Sequence, residues 1–271
     1  MIGAEYLEAI VLGVVQGIAE FLPISSSGHL VVCGAIWREA TGKSASPADD
    51  LALNVALHVG SLFSILWVYR RDLWALARAG DWRLGAAIVI ATIPTAIVGL
   101  LFQERFETAF ATPLVAGCGL LVTACLLVLG QRLERGERGL AGITATRAAA
   151  IGAFQAAALV PGISRSGSTI AAGLFVGAKR DAAAAFSFFI AIPAIGGAAA
   201  LTFRDAIVSG VAPTNAGALA LGAVVSFFVG VLALRGLLRV IARGKLHWFA
   251  AYCVIVGAGT IAWQLAEMAG S

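Results

Sequence analysis

Long apolar runs, separated by short polar segments, occupy most of the chain. About 20 helical residues are needed to cross the hydrocarbon of a bilayer. Six of the runs approach or reach that length, so we predict transmembrane helices at residues 51–69, 84–102, 112–130, 182–203, 216–238 and 247–266.

The remaining apolar runs are shorter and come in two pairs, 7–22 with 24–37 and 148–160 with 163–178. Pro23 breaks the first pair, and Pro161-Gly162 breaks the second. Paired, interrupted segments of this kind indicate re-entrant helical hairpins, whose irregular backbone must line a polar cavity.

The order of these segments predicts an all-α integral membrane protein with a single membrane domain. Its two halves, residues 1–138 and 139–271, would each contain one re-entrant helical hairpin plus three transmembrane helices. Because three crossings are an odd number, the second half would insert upside down relative to the first. We therefore predict an inverted repeat, with the two hairpins entering from opposite faces.

Composition supports a membrane location. The chain is 60% hydrophobic and 13% charged, with a mean hydropathy of +0.92, whereas soluble domains carry about 25% charged residues. The net charge of +4 comes from basic residues between the apolar runs, which indicates membrane topology and not nucleic-acid binding. The four cysteines lie in apolar stretches without paired spacing, so we expect free thiols.

The loop charges predict an orientation. Fourteen of the nineteen basic residues fall in one alternating set of loops, which the positive-inside rule places in the cytoplasm. Both termini and the loops at 38–50, 104–111 and 204–215 are then predicted outside. The first hairpin would enter from the outer face and the second from the inner face.

Two polar segments resemble each other at a constant offset of 139 residues, one in each hairpin. Only the first copy contains a carboxylate and an imidazole, and only the second contains a guanidinium. The matching pairs are Gln16/Gln155, Ala19/Ala158, Ile24/Ile163, Ser25/Ser164, Ser27/Ser166 and Gly28/Gly167.

These segments combine groups that bind phosphate. Gln16 and Glu20 are four residues apart and share a helix face. After the Pro23 break, a run of serines begins the next half-helix, where free N–H groups favour anions, and Gly28 would let a ligand approach the backbone. The second segment adds Arg165, whose planar fork suits phosphate oxygens.

Structural roles are the alternative for several of these residues. The serines would then cap helices, and Gln16 and Gln155 would hydrogen-bond across helices. For His58 and His247 we predict ordinary helix–helix hydrogen bonds. Glu20 and Arg165 remain functional candidates, because an ionisable group inside a membrane is costly.

The segments QGIAEFLPISSSGHL and PGISRSGST resemble the two signatures of the undecaprenyl-diphosphate phosphatases, the bacitracin-resistance family. The resemblance covers essentially the whole chain. It implies a multi-pass hydrolase of the bacterial inner membrane that removes one phosphate from a C55 polyprenyl diphosphate, with an active site open to the periplasm. Such an enzyme recycles the lipid carrier for peptidoglycan and cell-wall synthesis, and bacitracin competes for its substrate.

Carried over by motif position, the resemblance implies a catalytic core of Glu20, Ser26, His29 and Arg165. The predicted substrate-binding residues, from motif and residue chemistry together, are Gln16, Ser25, Ser27, Gly28, Ser164, Ser166, Gly167 and Thr169.

Several alternatives stay open. Gln16 stands where the first signature accepts Glu or Gln, so a second carboxylate is missing. Whether Glu20 holds a divalent cation (Mg²⁺ or Ca²⁺) is therefore undecided. No covalently bound cofactor is expected. Whether the protein forms a homodimer is also undecided. The alternative function is a transporter or flippase of a polyprenyl phosphate.

The nucleophile is also undecided. Ser26 has Arg165 as its counterpart in the repeat and lies three residues before His29, so we predict that it attacks phosphorus with His29 or Glu20 moving the proton. The rival is water activated by Glu20.

Overall fold

The computed structural model describes residues 2–41, 47–102, 112–134, 136–209 and 215–270. Within these ranges the chain forms eleven α-helices and one 3-10 turn at Leu140–Gly142. The α-helices are α1 (Ile2–Ala19), α2 (Ser26–Thr41), α3 (Pro47–Val68), α4 (Arg70–Ala79), α5 (Trp82–Leu101), α6 (Pro113–Arg132), α7 (Ala145–Ala157), α8 (Arg165–Phe175), α9 (Arg180–Ser209), α10 (Ala216–Ala242) and α11 (His247–Gly270).

Six helices in this part of the chain are long and apolar enough to cross a membrane, which confirms the all-α, multi-pass class. They are α3, α5, α6, α9, α10 and α11, the same six that the apolar runs predicted. The predicted loop at 104–111 and the basic residues Lys43, Arg105 and Arg135 lie outside the described residues.

The two hairpins are α1 with α2 and α7 with α8, and the helices of each pair contact each other. None of these four is among the six candidate spans. α7 has 13 residues and α8 has 11, which at 1.5 Å per residue gives about 20 and 17 Å, short of the roughly 30 Å of hydrocarbon. These two arms are therefore too short to cross the membrane, and an irregular turn joins the arms of each hairpin, at residues 20–25 and 158–164.

Small residues let the first arm of each hairpin pack closely against a long helix. A Cβ atom on Gly13 of α1 would lie 2.9 Å from the carbonyl oxygen of Gly222 in α10. In the second hairpin, Gly152 of α7 packs in the same way against Ala91 of α5. These contacts set the position of each hairpin along the long helix against which it packs.

An aromatic cluster lies next to the ends of the hairpins. Phe21 and Phe188 are buried, with ring centroids 5.9 Å apart, and Tyr69 packs against Phe188 and Phe189 at 6.1 and 5.3 Å. This cluster belongs to the largest apolar core among the described residues. An apolar core thus lies next to the polar ends of the hairpins.

Candidate active site

The turns of the two hairpins meet. We call residues 20–28 the first tip and residues 158–167 the second tip. A Cβ atom on Gly28 would lie 3.0 Å from Cα of Gly162, and one on Gly167 would lie 3.2 Å from Cβ of Pro23. Both glycines therefore make room for the opposite tip, and in this arrangement the space beside Gly28 that we predicted for a ligand is filled by Gly162.

The serines shared by the two tips stabilise the backbone in the same way. Ser25 Oγ accepts a hydrogen bond from Gly28 N at 3.2 Å, and Ser164 Oγ accepts one from Gly167 N at 3.0 Å. Ser27 Oγ lies 3.3 Å from Ser25 Oγ, and Ser166 Oγ lies 3.2 Å from Ser164 Oγ. Ser25 and Ser164 therefore have the capping geometry that was the structural alternative for them, whereas Ser27 and Ser166 contact the capping hydroxyls.

The two tips differ in the type of residue that has a positive φ. Ser25 has a positive φ of 69°, the only non-glycine residue in the described ranges that does, whereas the second tip places Gly162 at φ 87°. A left-handed conformation costs a residue with a Cβ atom about 1–2 kcal/mol. The first tip therefore holds Ser25, just before the predicted nucleophile, in a strained conformation.

Glu20 joins the unlike residues of the two tips. Its Oε2 accepts hydrogen bonds from Ser26 Oγ at 2.6 Å and from Gln16 Nε2 at 3.1 Å, and its Oε1 accepts one from Arg165 Nη2 at 2.7 Å. The side chain of Glu20 is only 6% exposed. A buried carboxylate thus contacts the predicted nucleophile from the first tip and the predicted phosphate clamp from the second.

Residues near the start of α9 hold Arg165. Its Nη1 donates to the carbonyl oxygen of Ser187 at 3.2 Å, and its guanidinium lies 5.9 Å from the ring centroid of Phe188. Thr169 Oγ1 donates to the carbonyl oxygen of Arg165 at 2.7 Å and lies 2.6 Å from Ser187 Oγ. Thr169 therefore supports Arg165 rather than facing Ser26.

His29 faces away from Ser26. Its Nδ1 lies 2.7 Å from the carbonyl oxygen of Ser25, and its Nε2 lies 2.8 Å from the hydroxyl of Tyr252 in α11. Both ring nitrogens are thereby occupied. The predicted contact between His29 and Ser26 is not formed, and within the described parts of the chain the serine hydroxyl is hydrogen-bonded to Glu20 alone.

His58 is a site residue that the sequence did not reveal. Its Nδ1 bonds to the carbonyl oxygen of Asn54 in its own helix, at 2.8 Å, and its Nε2 lies 3.7 Å from Glu20 Oε2. The predicted helix–helix hydrogen bond is therefore wrong for His58. For His247, whose Nδ1 lies 3.1 Å from Gln131 Nε2 of α6, the predicted helix–helix hydrogen bond is confirmed.

The site opens on the side of the first tip. Ser26, Ser27 and His29 are partly exposed, and the side chain of His58 is 32% exposed. The predicted residues of the second hairpin are buried except for part of Arg165, which is 17% exposed. A phosphate group would therefore approach from the side of Ser26 and meet Arg165 at the back of the site.

The residues around Glu20 do not by themselves fit a divalent-cation site. Mg²⁺ and Ca²⁺ favour several oxygen ligands, but Glu20 is a single carboxylate whose two oxygens already accept from Ser26, Gln16 and Arg165. Across the described parts of the chain, no group of three or more His, Cys, Asp and Glu side chains is arranged to hold a metal ion.

Fold and site together define a multi-pass helical membrane protein in which a buried carboxylate contacts a partly exposed serine and a guanidinium. Residues 9–259 match the family described as bacitracin resistance protein BacA, and the chain belongs to that family. This confirms the resemblance seen in the two sequence signatures.

Relatives cover almost the entire chain. A protein of Rhodopirellula baltica is 42% identical over 256 residues, covering 93% of this chain and 96% of the relative. Proteins of Desulfatibacillum aliphaticivorans and Methanobrevibacter smithii are 38% and 39% identical, each over 93% of this chain and 96% and 95% of the relative. All three are named undecaprenyl-diphosphatase.

Proposed function

We propose that this protein hydrolyses undecaprenyl diphosphate to undecaprenyl phosphate and inorganic phosphate. The observation that carries the proposal is Glu20, which accepts hydrogen bonds from Ser26 at 2.6 Å and Arg165 at 2.7 Å. A nucleophile, a base and a cationic clamp are the groups that phosphoryl transfer requires. The name shared by relatives that cover more than nine-tenths of the chain supports the same substrate. The activity would return the lipid carrier to cell-wall synthesis and confer resistance to bacitracin.

In the proposed first step, Ser26 Oγ attacks the terminal phosphorus and its proton passes to Glu20 Oε2. The bond from phosphorus to the bridging oxygen breaks, and the departing undecaprenyl phosphate takes the proton from Glu20, which restores the carboxylate. Water then attacks the phosphoserine and gives a proton to Glu20. The Oγ–P bond breaks, Glu20 returns this proton to Ser26 Oγ, and phosphate leaves. The rival is direct attack by water activated by Glu20.

Arg165 would stabilise the charge on the transferring phosphoryl group. Fixed donors in a water-poor site are worth far more than in water, because they are already oriented when the charge develops. Glu20 is the anion that pairs with Arg165 in the structure. Substrate phosphate oxygens would share or replace that contact and leave Glu20 free to receive the Ser26 proton.

The proposal includes the inverted repeat and its orientation. Gly13 and Gly152 are 139 residues apart and make corresponding contacts, with α10 and α5, which supports two related halves. Exposed tryptophans lie beside basic residues in the loops that we predict as cytoplasmic, as expected for a membrane interface. The pairs are Trp67 with Arg70, Trp74 with Arg78, Trp82 with Arg83 and Trp248 with Lys245. The site and both termini would then face the periplasm.

No step of the proposal passes through a metal ion. A dependence on Mg²⁺ or Ca²⁺ stays a prediction, and phosphate release measured after chelation, with and without each cation restored, checks it.

A polyprenyl-phosphate transporter is the second candidate, because paired interrupted helices in two halves also occur in carriers. The test is release of inorganic phosphate from undecaprenyl diphosphate by protein purified in detergent. We expect multiple turnovers, and Arg165→Lys supplies the matched low-activity control. A protein that binds the lipid but releases no phosphate would support the carrier and contradict the phosphatase.

A further inference from the structure

Two independent contacts hold the imidazole of His29. A carbonyl oxygen can only accept a hydrogen bond, so the contact from His29 Nδ1 to the Ser25 carbonyl oxygen places a proton on Nδ1. In the neutral imidazole, Nε2 is then an acceptor, and the Tyr252 hydroxyl at 2.8 Å donates to it. The two rings also stack, with centroids 5.6 Å apart and an interplanar angle of 11°. The Ser25 carbonyl thus fixes the tautomer, and Tyr252 holds Nε2 and the plane of the ring.

The other end of this chain of contacts reaches the strained residue of the first tip. The Ser25 carbonyl oxygen accepts from the backbone N–H of His29 at 3.2 Å as well as from its side chain. Ser25 has the positive φ, and the next residue is Ser26, which contacts Glu20. A shift of the His29 ring would therefore act on the peptide that orients Ser26.

The same part of α11 supports the first tip at a second point. Cys253 Sγ lies 3.7 Å from the carbonyl oxygen of Pro23 and is buried. The second tip is supported differently, by Thr123 of α6, whose Oγ1 donates to the Gly162 carbonyl oxygen at 2.9 Å and accepts from Ser164 N at 2.8 Å. Among the described residues no threonine bridges the partly exposed first tip in this way, and α11 contacts this tip through Cys253 and through Tyr252 and His29.

We propose that Tyr252 is a positioning residue for the reaction, holding His29 and, through the Ser25 carbonyl, the conformation in which Ser26 meets Glu20. The inference rests on the proposed phosphatase function. It assigns His29 a role in organising the first tip, while Glu20 handles the proton of Ser26. Tyr252 itself is 40% exposed and has no role in binding the phosphate.

Replacement of Tyr252 by phenylalanine removes the hydroxyl and keeps the stacking ring. We expect kcat for phosphate release to fall about three- to tenfold, the scale of one hydrogen bond, with KM changed less than twofold. The kcat of the Tyr252→Leu protein, which also loses the stacking ring, should fall further. Ile255→Ala is the matched control, because Ile255 lies on the same helix and is 73% exposed.

A second background separates positioning from general damage. If Tyr252 acts through His29, Tyr252→Phe should cause no further loss in a His29→Ala protein, because coupled residues are not additive. An equal loss in both backgrounds, or a wild-type kcat in Tyr252→Phe, would overturn the inference. Absence of phosphate release by the wild-type protein would instead overturn the proposed function.

Discussion

The two tips share a scaffold and differ in chemistry. In both, a serine caps a half-helix and a glycine makes room for the opposite tip. The first tip is partly exposed, strained at Ser25 and supported through His29, whereas the second is buried and bridged by Thr123. The matched serines and glycines build the backbone of the tips, and three positions that differ, Glu20, Ser26 and Arg165, meet in the site together with the matched Gln16.

The largest effect should follow removal of the predicted nucleophile. Ser26→Ala should lower turnover by at least about four orders of magnitude, because loss of a true nucleophile leaves only residual catalysis. Thr202→Ala is the control, since the Thr202 hydroxyl donates to the Ala198 carbonyl oxygen of its own helix, α9, and not to Glu20. Phosphate release checks both variants. If Ser26→Ala keeps more than about a tenth of wild-type turnover, activated water replaces the serine route.

The next effect concerns the guanidinium of the second tip. Arg165→Lys should lower turnover by about two orders of magnitude, the scale of one lost transition-state donor, because an ammonium group cannot reproduce the planar fork that contacts Glu20 and Ser187 together. Steady-state phosphate release measures this loss of turnover. Arg180→Lys is the control, because Arg180 pairs with Glu134 and not with Glu20. Near-normal turnover would make Arg165 a structural residue.

The smallest effect tests the shared scaffold. Ser164→Ala should cost about 1 kcal/mol of stability, the usual value of a helix cap. Ser25→Gly also removes a cap, but glycine adopts the positive φ of residue 25 without the cost of about 1–2 kcal/mol that a Cβ atom brings. The Ser25→Gly protein should therefore be less destabilised than the Ser25→Ala protein. Thermal unfolding in one detergent compares the three. Equal losses for Ser25→Gly and Ser25→Ala would mean that the positive φ stores no strain.

Much of the fold follows from the sequence. Run lengths identified the six candidate spans, and Pro23 and Pro161 marked the breaks, because hydrocarbon thickness and the missing proline N–H act locally. The offset of 139 residues also indicated which segments would meet. These features depend on local chain properties or on repetition, both of which a single sequence displays.

The missed contacts depend on tertiary structure. The spacing of three residues placed His29 on the same face as Ser26, but it does not fix the rotamer, and the Ser25 carbonyl and Tyr252 hold the ring elsewhere. His58 is one polar residue in an apolar run, and only the crossing of α3 beside the first tip brings it to Glu20. Nothing in the local sequence marks Tyr252 or Ser187 as a neighbour of the site.

The most direct test of a single site built from both tips is a double-mutant cycle of Glu20→Gln and Arg165→Lys. Residues that share one contact are coupled, whereas independent ones add in free energy. We predict that the double variant releases phosphate at least about tenfold faster than the product of the two single losses would allow. Losses that multiply within about twofold, in variants that bind substrate as the wild type does, would contradict the account.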